Sequence, residues 1–153
     1  LKGALAVSLL FVGVFSSSMT IARECVSDYE LYSKAQVDAA EYIEKNTAEK
    51  AVFLTGDNHN NAVAALTGRS IVCGADTFLY YHGINTAERK NEVANMYADP
   101  VGNKELYKKY NVLYIFVSDV ETGEFQINFE GLGQIAEKVY DAQNVVIYKC
   151  NEL

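Results

Sequence analysis

Two short polar stretches hold both histidines of this 153-residue chain. TGDNHNNA, residues 55–62, carries Asp57, His59 and Asn60, and GADTFLYYHGIN, residues 74–85, carries Asp76 and His82. A histidine beside a carboxylate can move protons near neutral pH or hydrogen-bond a polar ligand. It can equally bond the backbone of its own loop and fix that loop's shape. The asparagines of the first stretch suit sugar hydroxyls, although Asn is also a favoured turn and helix-cap residue. Arg69 and Arg89 supply cations for an anion or for an ion pair within the domain. Phe78, Tyr80 and Tyr81 can stack on a sugar or a lipid, or pack over their own loop. The candidate binding set is therefore Asp57, His59, Asn60, Arg69, Asp76, His82 and Arg89.

Established catalytic patterns are missing. TGDNHNNA lacks the Lys and second Gly of a phosphate-binding P-loop, and no G-x-G-x-x-G follows any apolar run. There is no G-x-S-x-G elbow, and no Cys stands near a His partner. Asp57, His59, Asp76 and His82 could meet in one cluster, but no H-x-x-x-H or related ligand spacing exists. No complete active site, metal or cofactor is expected from these patterns. The cysteines, Cys25, Cys73 and Cys150, are odd in number and unpaired in spacing, and Cys73 reads as a small buried hydrophobe.

The elements that must position the two stretches can be read from apolar periodicity. Ser33-Lys-Ala-Gln36 has the S-x-x-Q form of a capping box, and Val37, Ala40 and Ile43 then recur at helical spacing to about Asn46. AVFLT (51–55) and SIVC (70–73) read as strands, joined by a short helix that Asn60 or Asn61 caps and Gly68 ends. That connection is long enough for a crossover between parallel strands. A polar helix is expected from Thr86 to before Pro100, and a further one carries Leu106 and Tyr110. VLYIFV (112–117) is the longest strand candidate and the expected sheet centre. KVYDAQNVVIYKC (138–150) reads as a hairpin at the sheet edge, and the segment between is a loop with a short helix. The fold class is α/β: a small sandwich with a mostly parallel sheet and an antiparallel C-terminal hairpin, behind an N-terminal transmembrane helix. In such a sheet ligands bind beyond the carboxyl ends of the strands. His59 and His82 are thus expected on one sheet edge, within one ligand's width.

Residues 3–22, GALAVSLLFVGVFSSSMTIA, carry no charge and are bracketed by Lys2 and Arg23. At about 1.5 Å per helical residue they reach roughly 30 Å, the thickness of a bilayer's hydrocarbon core. Serine hydroxyls can bond carbonyls of their own helix, so the three serines at 16–18 do not forbid a span. A signal peptide ending at TIA and a buried soluble helix are the competing readings. The organisation expected is a transmembrane helix over 1–24, a linker and amphipathic helix over 25–50, and a soluble α/β domain over 51–153. Every one of the 20 acidic side chains, against all but one of the 13 basic ones, follows residue 22. That acidity suits neither nucleic acid nor an anionic membrane face, and places the soluble part outside the cytoplasm, at the cell membrane.

HNNAVAALTGRSIVCGADTFLYYHGIN, ERKNEVANMYAD and LYKKYNVLYIFVSDVETGEF together resemble the C-terminal soluble domain of multi-spanning bacterial membrane proteins of the C-type glycosyltransferase kind. The matching pattern is a strand, a polar loop, a Gly-Arg turn, a Gly to His-Gly loop, an Arg to Met-Tyr helix and a Tyr-rich strand, over residues 51–125. The resemblance implies an extracytoplasmic α/β domain behind a last membrane helix, in a protein that uses a lipid-linked sugar. It implies an accessory, acceptor-positioning role, since the catalytic acid of such enzymes lies in an early loop that these residues do not match. It also accounts for the Leu at position 1 as the tail of a longer protein, whose remaining spans would be the partner. Asp57, His59, Arg69, His82 and Arg89 would then be the contacts to a glycan or lipid-linked sugar. A membrane-anchored or secreted module that binds a protein or a cell-wall polymer is the reading from a different class.

Overall fold

Helix α1 (Lys2–Cys25) and a five-stranded sheet with helices on both faces belong to separate compact units, divided after Leu31. The structure, a computed structural model, describes residues 2–151. Gly3–Cys25 is long and apolar enough to cross a membrane, and its side chains are exposed throughout. The hydroxyls of Ser17 and Ser18 donate to the carbonyls of Gly13 and Val14, at 3.0 and 2.8 Å. Each serine thus satisfies its hydroxyl within the helix, as an apolar surrounding requires.

The second unit opens with α2 (Lys34–Asn46), whose Ser33 cap accepts from the Gln36 amide while the Gln36 side chain accepts from the Ser33 amide. Ala35, Ala39 and Ile43, one turn apart, face the sheet. Val37 lies about 200° round the helix from Ala35, so it is 40% exposed and not part of the apolar face expected of it. Strand β1 (Val52–Leu54) runs parallel to β2 (Ser70–Ile71), both shorter than the apolar runs that contain them. Between them α3 (Ala62–Thr67) is capped by Asn61 and stopped by Gly68 at φ 66°, a conformation that glycine adopts without strain.

After β2 the chain forms α4 (Asp76–Tyr81), where a loop was expected, then α5 (Ala87–Ala98) and α6 (Lys104–Lys109). Strand β3 (Val112–Val117) is central, parallel to β1 and antiparallel to β5 (Val145–Cys150). Helices α7 (Asp119–Glu124) and α8 (Phe129–Ile135) fill the segment before β4 (Ala136–Ala142). The strand order is β2-β1-β3-β5-β4, with the β4–β5 hairpin at one edge and a register irregularity between Lys138 and Tyr140.

Strand alternation divides the core into two layers. Leu54, Ile115, Val117 and Tyr148 pack with Val93, Met96, Tyr97, Tyr107, Leu132 and Ile135 on one face. Phe53, Phe116 and Ile147, the intervening residues, pack with Ala35, Ala39, Ile43 and Val63 on the other. Full burial of side chains such as Phe53 and Ile147 contributes on the order of 2 kcal/mol each. Helix α2, grouped with the linker in the sequence reading, is thus part of the sandwich.

Candidate functional site at the carboxyl ends of the parallel strands

The loop after β1 is built around Asn61. Its amide nitrogen donates to the Thr55 hydroxyl at 2.9 Å and to the Gly56 carbonyl at 3.0 Å, and its oxygen accepts from the Ala64 amide at 3.1 Å. One buried side chain therefore caps α3 and folds TGDNHNNA back on itself. Asp57 is left facing α5, where its carboxylate meets the Lys90 ammonium at 2.9 Å with only 10% of its side chain exposed.

Helix α7 supplies the opposite wall. Ser118, at the end of β3, caps it in a box with Glu121. Buried Glu121 accepts from the Ser118 amide and hydroxyl, at 2.9 and 2.5 Å, and from the Gly56 amide at 3.1 Å. That carboxylate ties the β1 loop to the start of α7. A Cβ on Gly56 would stand 3.1 Å from Glu124 Oε2 and 3.4 Å from Glu121 Oε1, so the absence of a side chain lets the carboxylates approach. Although Glu124 is exposed as a residue, its carboxyl end is tucked toward this backbone. Burial there, then the charge and hydrogen bond of Asp57, push the Glu124 carboxyl above the usual carboxylate range. Lys90 is held protonated above its ordinary range by its bond to Asp57.

Asp57, Lys90, Asn91 and Glu124 rim a cleft of about 230 Å³ with Cys73, Val93, Ala94 and Phe125 as its apolar lining. It holds two carboxyls, one ammonium and one amide around an apolar floor, a set suited to hydroxyl or amide groups of a small polar ligand. The Cys73 thiol is pushed up by burial and stays protonated, and burial pushes Cys150 up to about 12. Neither is an activated nucleophile. Among the described residues no group of three or more His, Cys, Asp or Glu is arranged to hold a metal ion.

The sequence-derived candidates divide between four places. Asp57 lies in the cleft. His59, exposed, sets its ring edge-on to Phe78 of α4 at 5.6 Å, and half-buried Asn60 lies beside it. Asp76 accepts from the Thr86 hydroxyl and exposed His82 ends α4, so both stay on the α4 segment. In chain order His59 follows β1 and His82 follows β2, the latter one helix further on. Arg89, adjacent to Lys90 but about 100° round α5, lies over the Tyr110 ring at 5.3 Å and borders a second cleft of about 220 Å³. Arg69 does not join them. It precedes β2, at the amino end of the sheet, and donates to Thr47 Oγ1 and to the carbonyls of Thr47, Glu44 and Thr67 at 3.0–3.4 Å. The aromatic run is exposed, with Phe78 at 55%, Tyr80 at 72% and Tyr81 at 81%, and does not pack over its own loop.

Lys90, Glu121 and Glu124 were not among the candidates. Ser118-Asp-Val-Glu121 is a capping-box sequence directly after the central strand, and it marks the start of α7 at the ligand edge. Glu124 follows one turn later.

No protein-family profile matches this chain, and no curated protein matches it in sequence. Among solved structures, the C-terminal globular domain of an oligosaccharyltransferase from Archaeoglobus fulgidus matches with a TM-score of 0.56 at 10% identity, over 78% of this chain and 99% of that one. The likeness is one of fold. It takes in the neighbouring domain end to end.

Proposed function

We propose that this chain is an accessory, non-catalytic part of a glycosyl-transfer membrane protein, anchored by residues 3–22 and working outside the cytoplasm to position the acceptor. The observation that carries the reading is the fold likeness, which spans 99% of a domain that belongs to an oligosaccharyltransferase. Two features support it. Gly3–Cys25 suits a membrane span, and the Asp57–Lys90–Glu124 cleft offers paired acceptors and donors at the sheet edge where α/β ligands bind. In this reading Asp57, Lys90 and Glu124 make the central contacts, with His59 and Asn60 on the loop after β1, Asp76 and His82 at the two ends of α4, and Arg89 on α5 as further contacts. The bound group is a glycan or a polar acceptor segment, and the remaining spans of the membrane protein are the partner.

The test is sugar transfer from a lipid-linked donor by membranes that contain the full-length protein. The double substitution Asp57→Asn with Lys90→Met is expected to raise the acceptor KM several-fold while leaving kcat nearly unchanged. Unaltered KM and kcat in a protein of unaltered melting temperature would overturn the reading.

A further inference from the structure

Helix α4 buries none of its residues, although its sequence is DTFLYY. Phe78, Tyr80, Tyr81 and, just beyond, Ile84 are 55%, 72%, 81% and 51% exposed. Folded domains seldom leave such a run of large apolar side chains facing water without use. The segment is nevertheless a built projection. The Thr86 hydroxyl donates to Asp76 across its base, and the Ile84 amide donates to the Leu79 carbonyl at 3.0 Å. Leu79, half-buried, turns inward to within 3.5 Å of a Cβ position on Gly74. The aromatics are thereby held outward.

Cations stand at the foot of the projection. The cleft of about 220 Å³ between Leu79, Ile84, Arg89, Lys109 and Tyr110 carries Arg89 stacked on the Tyr110 ring and Lys109 over the same ring at 4.9 Å. Lys109 is engaged by Glu92 at 2.6 Å, and Glu88 stands on the same rim. Arg89 has no carboxylate within salt-bridge distance among the described residues. A guanidinium free of acid partners below a cluster of tyrosines complements a phosphate headgroup below which acyl chains begin. Tyrosine, apolar along the ring and polar at its tip, is enriched at that boundary.

We propose that the α4 projection docks on the bilayer surface, with Phe78, Tyr80, Tyr81 and Ile84 entering the interface and Arg89 meeting a phospholipid phosphate. This rests on the reading of residues 3–22 as a membrane span. The tether helps: residues 26–33, at most about 3.6 Å each when extended, cannot carry the unit more than roughly 30 Å from the end of α1. A weak surface contact then acts within one molecule at high effective concentration.

The chain has no tryptophan, so a single introduced indole reports its own surroundings. Three full-chain variants, Tyr81→Trp, Leu113→Trp and Phe11→Trp, are reconstituted in phosphatidylcholine vesicles with and without brominated acyl chains. Leu113 stands near the amino end of β3, at the opposite end of the sheet. Blue-shifted emission from Tyr81→Trp that bromine quenches, with Leu113→Trp water-like and unquenched, is the expected result. A further Arg89→Ala change in Tyr81→Trp should weaken the quenching. Water-like emission from Tyr81→Trp beside a quenched Phe11→Trp overturns the docking and leaves the span intact. An unquenched Phe11→Trp removes the span itself and the docking with it. Blue-shifted but unquenched emission from Tyr81→Trp means that protein covers the patch, and equal quenching of Tyr81→Trp and Leu113→Trp means unspecific adhesion; either overturns the proposal.

Discussion

At the residue scale the two acids of α7 have opposite environments. Glu121 is surrounded by donors, from Ser118 and Gly56, whereas Glu124 faces the carboxylate of Asp57. Replacing Glu121 by Gln puts an amide nitrogen against N–H groups, and a buried donor left without an acceptor costs about 1–3 kcal/mol. Denaturant unfolding of Glu121→Gln should show that loss. For Glu124 the folded carboxyl holds its proton more tightly than the unfolded one. Its contribution to stability is therefore complete below the ordinary carboxylate range and fades as pH rises through the raised folded value. Thermal melts from acid to neutral pH should fall less steeply for Glu124→Gln, which should also match or exceed the wild type near pH 7. The sequence made Asp57 legible as a loop carboxylate after a strand, but not its partners. Lys90 and Glu124 lie 33 and 67 positions further along, and only the crossing of α5 and α7 over one sheet edge joins them.

Among the elements, helix ends do more than stop helices. Arg69 draws the carboxyl end of α2, through Glu44 and Thr47, toward the end of α3, through Thr67. Its charge meets carbonyls that a helix end leaves without partners. Arg69→Met should cost about 1–3 kcal/mol by thermal or denaturant melting, from the loss of charged hydrogen bonds, and leave ligand affinity unchanged. The caps at Ser33, Asn61 and Gly68 were readable because each rests on residues within four positions of one another. Helix α4 was not, since DTFLYY has no alternation of polar and apolar residues that would mark a buried face. Helix α2 had the right extent, and Ala40 and Ile43 of its expected face are buried; Val37 is not, because the sheet covers the side of the helix that carries the smaller Ala35 and Ala39.

For the whole molecule, the division after Leu31 has a mechanical meaning. Val26, Tyr29 and Leu31 are exposed at 80%, 75% and 48%, and the sandwich beyond them has its own two-layer core. A chain cut back to residues 32–153 should still melt cooperatively at nearly the temperature of the intact protein. A fragment that melts broadly or far earlier would show that the sandwich depends on α1. The fold class was legible because apolar strands and polar helices alternate along the chain, whereas the shared cleft depends on which strands are neighbours.

The outermost strand of the sheet bears on crowding. Strand β4 presents seven residues along an open edge, a length that invites a second chain to pair with it. Glu137, Lys138 and Asp141 are exposed charges on that edge strand, Lys138 and Asp141 paired at 2.7 Å, and the slip in register near Tyr140 breaks the straight row of amides a newcomer would need. Copies concentrated on one surface would meet there as guarded rims, which keeps neighbours from fusing into a continuous ribbon.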